Sequence, residues 1–319
     1  MSTKTMIVVG ALVAVILAVL SRILVPVPMP EILLPAEKIV DLGFMAISNS
    51  ILATWLTIIV LVVMFWLATR KMEMIPSGLQ NFAEAIVEAA LSFIEGIAGK
   101  ENGRKFFALV ATIFLFVITS NWLGLLPGFG TIGLFEHKDH GVVATQVGPL
   151  ALIVPGQDQP SAEAQNDHGP AVQEGDTVMG VIVPFFRSAN TDLNTTLALA
   201  LVAFLMIEWW GAKAHGVWKY SSKFINVKGG PIGFVVGIIE LVTEIARIIS
   251  FSFRLFGNVF AGEVLLAVLM FLVPWLVVVP FFGLELFVGF IQALVFAMLT
   301  LVFSVVACAG HGEEHAKAH

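Results

Sequence analysis

Long apolar stretches dominate the chain, and short polar segments separate them. Six of these stretches are long enough to cross the hydrocarbon layer of a bilayer, which is about 30 Å thick and needs about 20 residues of helix. The pattern predicts an all-α, multi-pass membrane protein with embedded helices at residues 6–25, 46–69, 106–126, 193–212, about 231–272 and about 275–309.

One further segment, residues 79–97, is amphipathic. Phe82, Ile86, Phe93 and Ile97 fall near one helical face, and glutamates lie away from it. This pattern fits a helix on the cytoplasmic membrane surface, and it equally fits an amphipathic helix packed on its own protein.

The first apolar stretch also has two interpretations. It follows Lys4 and has a short apolar core, as a signal peptide does. No clear cleavage site of small residues follows it, so we expect a retained helix. Cleavage would leave the later topology unchanged.

Composition excludes several classes of protein. Of the 319 residues, 58% are hydrophobic and 13% are charged, whereas soluble domains carry about 25% charged residues. The single cysteine, Cys308, cannot form an internal disulfide. A soluble enzyme, a secreted disulfide scaffold and a disordered protein are therefore excluded.

Charge is distributed unevenly and predicts the orientation. Residues 130–190 contain seven acidic and two basic residues, Lys138 and Arg187, and so supply −5 of the net charge of −6. This stretch, rich in Gly, Pro, Gln and Asn, predicts an external loop with at most short strands, such as 177–186. Three basic clusters lie in other loops and predict the cytoplasmic side. The C-terminus is then cytoplasmic.

We divide the chain into four regions on this basis. They are an N-terminal extra helix and external segment (1–45), two helices with the amphipathic segment (46–130), the acidic external loop (131–188) and the C-terminal helices (189–319). The stretch at 231–272 is roughly 60 Å long as a helix. It must therefore be strongly tilted or divided in two.

Ionisable residues inside the last two apolar stretches are the candidates for function, because charges at membrane depth are costly and need partners, water or a role. Glu240, Arg247 and Arg254 are seven residues apart and fall on one helical stripe. Glu244 and Asn258 lie close to that stripe. Glu285 and Gln292 share a face of the final helix in the same way.

The two arginines differ in their local partners. Glu244 lies three residues before Arg247 and can neutralise it. Arg254 has no acidic residue three or four positions away, and a guanidinium does not deprotonate. Its counter-charge must lie on another helix or another subunit, and a bridge to Glu263 or Glu285 within the chain, or snorkelling, is the alternative.

Glu263 and Glu285 have no basic residue within four positions. Isolated carboxyl groups in apolar surroundings can gain and lose a proton near neutral pH. Two such groups on neighbouring helices favour a proton relay over carboxyls hydrogen-bonded to the backbone. The small residues Gly257, Ala261 and Gly262 also indicate that a partner helix packs beside Arg254.

At these residues the sequence resembles subunit a of the F-type ATP synthases. Residues 253–263 (FRLFGNVFAGE) match that family's signature around its essential arginine. Residues 189–196 (ANTDLNTT) and 292–296 (QALVF), with Leu299 and Thr300, give further matches, and the resemblance extends over about 45–130 and 188–315.

The resemblance implies a proton-translocating stator subunit. Arg254 would face the rotating ring of c subunits, attract each passing carboxylate and prevent proton leak between two offset half-channels. Glu263, Glu285, Asn258 and Gln292 correspond to the outer half-channel, and Glu240 and Ser250 to the route to the cytoplasm. Four further residues are possible contributors: Asp192, Asn194, Glu244 and Arg247.

The resemblance also implies surroundings and partners. We expect a bacterial plasma membrane, the c-subunit ring, the peripheral-stalk b subunits and the rest of the ATP synthase complex. We expect no cofactor, no metal, no nucleic acid and no nucleotide site in this chain. The acidic loop and the first helix depart from the family. Family members vary in which of the positions of Glu263 and Glu285 is acidic; here both are, so it is open which one dominates the outer half-channel. Selectivity between H⁺ and Na⁺ is open as well.

Two other functions were weighed. A proton-coupled secondary transporter using Glu263 and Glu285 should show inverted repeats with paired broken helices, and the sequence shows no such symmetry. A membrane metalloenzyme needs metal ligands at membrane depth, but none of the seven histidines lies at that depth and no HExxH motif occurs.

Overall fold

The computed structural model describes residues 32–41, 43, 46–126, 129, 132–147, 150–153, 177–221, 230–272 and 278–309. The predicted first helix lies outside these residues, as does the C-terminal tail. The helices in the described part are α1 (Asn49–Thr69), α2 (Gly78–Gly124), α3 (Leu193–His215), α4 (Val217–Ser221), α5 (Gly230–Leu272) and α6 (Val278–Ala309).

Five helices in the described part of the chain, all except α4, are long and apolar enough to span a membrane. They confirm the prediction for the five later stretches. Helix α5 runs for 43 residues as one helix, roughly 65 Å at 1.5 Å per residue. That length supports the tilted interpretation rather than two separate segments.

Helix α2 is interrupted at Gly99, where φ is 75° and ψ is 161°. A positive φ of this kind strains any residue with a side chain, so glycine suits the break. Before the break lies the amphipathic segment. Its Ile94 is buried against Phe106 and Val110 of the second half of α2, whereas Phe82 and three other predicted members of its apolar face are partly or fully exposed.

The spanning helix predicted at residues 46–69 begins three residues later than its apolar run suggested. Residues Ala46–Ser48 form strand β2, which pairs antiparallel with β1 (Lys38–Asp41). Helix α1 starts at Asn49, and the Ser48 hydroxyl accepts a hydrogen bond from the Ile51 N–H at 3.4 Å. Hydroxyl caps of this type satisfy the free amides of a first turn.

The acidic segment contains more β-structure than expected. Strands β3 (Gly133–Val147), β4 (Leu150–Ile153) and β5 (Thr177–Pro184) form an antiparallel sheet in the order β4-β3-β5. The short strand near 177–186 is confirmed, but the prediction of only short strands is wrong for the 15-residue β3. The pairing of β3 with β5 shifts register between His137 and Val142, so the sheet continues past the charged residues at that point.

The described residues form two compact units. Those that fall within 1–52, 124–188 and 260–287 belong to the first unit, and those that fall within 53–123, 189–259 and 288–319 belong to the second. The second unit has a core in which buried residues of α2, α3, α5 and α6 meet: Ile113, Val117, Ala200, Ala203, Phe251, Leu255, Val259, Ala293 and Phe296. Large apolar side chains on the outside of these helices stay exposed, as expected of surfaces that face lipid.

Candidate functional site

In the second unit, Arg247 and Glu244 form a closed ion pair on α5. The Arg247 Nη1 group donates to Glu244 Oε2, and the Glu244 side chain is only 2% exposed. The Arg247 guanidinium carbon also lies 4.0 Å from the centre of the Phe303 ring, a cation–π contact. The structure thus confirms the predicted local neutralisation of this arginine.

Arg254, two turns further along α5, has the opposite surroundings. Its side chain is exposed, and it forms no hydrogen bond or ion pair with any residue that the structure describes. A bridge to Glu263 or Glu285 is therefore not formed. Residues three and four positions later are exposed too, and together with Arg254 they form what we call the open strip: Arg254, Gly257 and Asn258.

The open strip meets the final helix through Asn258. The Asn258 Nδ2 group donates to Gln292 Oε1 at 2.9 Å. Gln292 is 4% exposed, and its Nε2 group has no partner among the described residues. The structure therefore brings together the polar faces of α5 and α6, which the sequence spacing had placed on each helix separately.

Several polar groups at and near helix α3 form hydrogen bonds within the protein. The Asp192 carboxylate caps α3 by accepting from the Asn194 N–H at 2.9 Å. The Asn194 side chain is exposed. Thr196 and Ser252 share a buried hydroxyl hydrogen bond of 3.1 Å between α3 and α5. Of the two residues that the resemblance assigns to the route to the cytoplasm, Ser250 is exposed and Glu240 is half-buried.

A buried pair of amides was missed by sequence reasoning. The Asn190 Nδ2 group donates to Asn121 Oδ1 at 2.8 Å, and Asn121 Nδ2 donates to the Gly289 carbonyl at 3.2 Å. Asn190 lies in the motif at 189–196, but Asn121 lies at the end of an apolar run and gave no signal beyond being an amide at membrane depth. The Asn190 Oδ1 atom is buried without a partner among the described residues.

The first unit contains a second polar site, centred on Glu263. The Arg187 Nε group donates to both carboxylate oxygens of Glu263, at 3.1 Å and 3.2 Å. The interpretation of Glu263 as an isolated carboxylate is therefore wrong, because its partner lies 76 residues away in sequence. Arg187 was missed as a site residue, although it is one of two basic residues in the acidic stretch and directly precedes the 189–196 motif.

Glu285 lies against the backbone of α5 in the same unit. A Cβ atom added to Gly262 would overlap the Glu285 carboxylate, whereas one added to Gly257 would meet nothing within 4 Å. The small residues that predicted a partner helix thus have two different roles. Gly262 admits Glu285 of the same chain, and Gly257 leaves the open strip uncovered.

The short helix α4 holds Tyr220 in a separate polar contact. Burial, and then the neighbouring Glu208 carboxylate, raise the pKa of Tyr220 well above its ordinary value, so its hydroxyl stays protonated and donates to Glu208. The Tyr220 ring stacks on His215 and fits against Gly211 because that residue has no side chain. Within the described residues, no three His, Cys, Asp or Glu side chains lie close enough to hold a metal ion.

Comparison with known proteins places this arrangement in a family. The family described as ATP synthase A chain matches residues 51–304. ATP synthase subunit a of Helicobacter pylori (strain P12) is 30% identical over 278 residues, which cover 84% of this chain and 96% of that protein. ATP synthase subunit a of Gloeobacter violaceus is 32% identical over 268 residues, covering 84% and 87% of the two chains.

The matched region includes α1, all of α3 and α5, and most of α6, and therefore both polar sites. It supports the subunit a interpretation of the sequence and gives no support to a secondary transporter. The chain is a multi-pass membrane protein, and it belongs to the ATP synthase A chain family.

Proposed function

We propose that this chain is the stationary proton-channel subunit of the membrane sector of an ATP synthase, and that Arg254 acts on the carboxylates of a rotating ring of c subunits. One observation carries the proposal. Arg254 is a permanent cation on a membrane-spanning helix, exposed and without a hydrogen bond or ion pair to any described residue. Such a charge is costly in a membrane unless an external anion neutralises it.

The shape of the open strip suits a moving partner. Gly257, three residues after Arg254, has no side chain, and the space beside it is unoccupied. Small residues allow helices to approach closely in membranes. A c-subunit helix can therefore approach closely beside Gly257, bring its carboxylate to the guanidinium and then move on.

The polar side chains provide two routes to that point. Asn258 and Gln292, with Glu263 and Glu285, form the outer half-channel, and Glu240 and Ser250 line the route to the cytoplasm. A fixed cation between the two routes repels protons, so each proton crosses only on the ring. Each proton that crosses 100 mV in this way yields about 2.3 kcal/mol, and the rotation transmits it to ATP synthesis elsewhere in the complex.

The proposal includes the surroundings of the subunit. The peripheral-stalk b subunits hold it against the torque of the ring, as its role as a stator requires. It lies in a bacterial plasma membrane with the basic loops and the C-terminus in the cytoplasm, following the distribution of Lys and Arg. The named relatives are themselves bacterial ATP synthase subunits a.

The test is the variant Arg254→Ala in the complete ATP synthase, reconstituted into vesicles. We expect the complex to assemble, because Arg254 supports no contact within the described part of the chain. ATP synthesis driven by a proton gradient should fall about 100-fold or more, as when a preorganised charge is lost from a reaction site. The vesicles should also leak protons.

Arg104→Ala is the matched control. Arg104 is exposed and forms only a surface ion pair with Glu95 at 3.3 Å, so its loss should leave synthesis unchanged. Normal proton-driven synthesis in the Arg254→Ala complex would overturn the proposal.

A further inference from the structure

The ion pair of Arg187 and Glu263 is asymmetric in its burial. The Arg187 side chain is 8% exposed and that of Glu263 is 42% exposed. The remaining contacts of Arg187 also hold it inside the protein, since its Nη1 group donates to the Pro35 carbonyl at 3.4 Å and its guanidinium lies 5.8 Å from the Phe260 ring centre. The cation is thus enclosed, while its partner carboxylate keeps one side open.

This asymmetry determines the charge of Glu263. The guanidinium remains charged at any pH that proteins tolerate, and a buried charge without a partner is strongly destabilising. Protonation of Glu263 would leave Arg187 in that state. Glu263 is therefore held as an anion for as long as Arg187 stays in place.

Glu285 has the opposite situation. It forms no hydrogen bond or ion pair with any residue that the structure describes, and its carboxylate lies against the backbone at Gly262. Among the residues that the structure describes, no cation pairs with it to oppose its protonation. A carboxyl group of this kind can take a proton from the outer aqueous side and pass it on towards the ring.

We propose that Arg187 is a positioning residue that holds Glu263 as a fixed anion, and that Glu285 is the carboxylate that gains and loses the proton in the outer half of the path. This inference rests on the proposed function. It assigns different roles to two acids that look equivalent in the sequence, and it gives a function to an arginine outside the membrane-spanning helices.

The two roles predict a specific pattern in four variants of the complete ATP synthase in vesicles. Proton uptake driven by ATP is measured per assembled complex, with assembly quantified separately. Glu285→Gln should assemble and lose about 100-fold in uptake, the effect expected when a proton-transfer group is removed. Glu263→Gln should assemble poorly, because Arg187 is left buried without its anion.

The remaining two variants distinguish positioning from simple structural support. Arg187→Gln should assemble, because the open side of Glu263 allows water to solvate its carboxylate. Its uptake should fall about tenfold, since Glu263 can now bind protons and withhold them from Glu285. The double variant Arg187→Gln/Glu263→Gln should assemble and return to within about fivefold of the original uptake, because the pair is removed together.

Several results would overturn the inference. Normal uptake with Glu285→Gln would exclude its role in proton exchange. Unchanged uptake per complex with Arg187→Gln would reduce the pair to a structural contact, and so would a double variant that fails to assemble or pumps no better than Glu285→Gln. Arg187→Lys, which keeps the charge, should retain uptake, and its failure would also count against the inference.

Failure of the broader proposal looks different. In that case Arg254→Ala would remain coupled, or the unmodified complex would show no ATP-driven uptake. The uptake of the Arg187, Glu263 and Glu285 variants is compared only with that of an unmodified complex that takes up protons when ATP is supplied.

Discussion

Helix α5 carries two arginines, two turns apart, in opposite environments. Arg247 is paired with Glu244 and covered by the Phe303 ring. Arg254 is exposed and has no hydrogen bond or ion pair among the described residues. Both lie in the same compact unit and on the same polar stripe, so helix position does not explain the difference.

The difference follows from one neighbour. An acid three residues earlier can reach Arg247 along the helix, and no acid stands at that distance from Arg254. A cation that is paired with a buried carboxylate has no remaining affinity for an outside anion, whereas an unpaired one must bind something else. The same side chain is thus structural at one position and available to a partner at the other.

The variant with the largest expected effect removes Glu244, the anion that is paired with Arg247. Glu244→Gln leaves the half-buried Arg247 without its counter-charge, which should destabilise the chain by about 1.5–3 kcal/mol, the range for a hydrogen bond to a charged group. Arg254→Gln should change stability by less than about 0.5 kcal/mol, because an exposed side chain is replaced. The measurement is thermal unfolding of the purified subunit or complex in detergent.

A double variant controls for the loss of polarity itself. Glu244→Gln/Arg247→Gln removes both charges and should recover much of the stability lost in the single variant. A Glu244→Gln protein as stable as the original would mean that Arg247 is not enclosed, and the contrast between the two arginines would disappear.

Sequence reasoning succeeded where the cause was local. The long apolar runs gave the positions of α1, α3, α5 and α6 to within a few residues. The spacing of acids around the two arginines gave their different pairing. Both features depend on residues within two helical turns, and so on information that a single sequence contains.

Prediction failed where the cause was tertiary. The ion pair of Arg187 and Glu263 joins residues far apart in sequence, and no periodicity connects them. The long strand β3 contradicted its polar composition because pairing with β4 and β5 supplies hydrogen bonds that composition does not reveal. The break at Gly99 gave no signal either, because glycine is also tolerated within a helix.

Two glycines of α5 show a similar contrast, because one has another side chain against it and the other has open space beside it. Gly262→Ala places a methyl group where the Glu285 carboxylate lies, so that carboxylate must move. We expect ATP-driven proton uptake per complex to fall about tenfold, since small displacements of a reacting group have large effects on rate. Stability should change little, because the displaced atoms end a flexible side chain.

Two alanine substitutions serve as controls for this variant. Gly96→Ala meets nothing within 4 Å and should leave proton uptake unchanged. Gly257→Ala also meets open space and should leave thermal stability unchanged. Equal uptake in the Gly262→Ala and Gly96→Ala complexes would show that the position of the Glu285 carboxylate does not limit the proton path.

The smallest expected effect compares two serines of the same helix. Ser252 is buried and hydrogen-bonded to Thr196 at 3.1 Å, whereas Ser250 is exposed near Arg254. Ser252→Ala should cost about 1 kcal/mol of stability, the usual net value of one hydrogen bond. Ser250→Ala should cost less than about 0.5 kcal/mol. Thermal unfolding of the two variants in the same detergent measures the difference.

The serine pair is informative because the intrinsic preference of alanine for helix acts equally at both positions and cancels. What remains is the contribution of the buried hydroxyl contact between α3 and α5. If Ser250→Ala destabilised the assembled complex as much as Ser252→Ala, the surface beside Arg254 would already be filled by a fixed neighbour. A passing c-subunit carboxylate would then have no access to Arg254. Arg254 would be as enclosed as Arg247, and the proposed mechanism, which needs an accessible arginine, would be wrong.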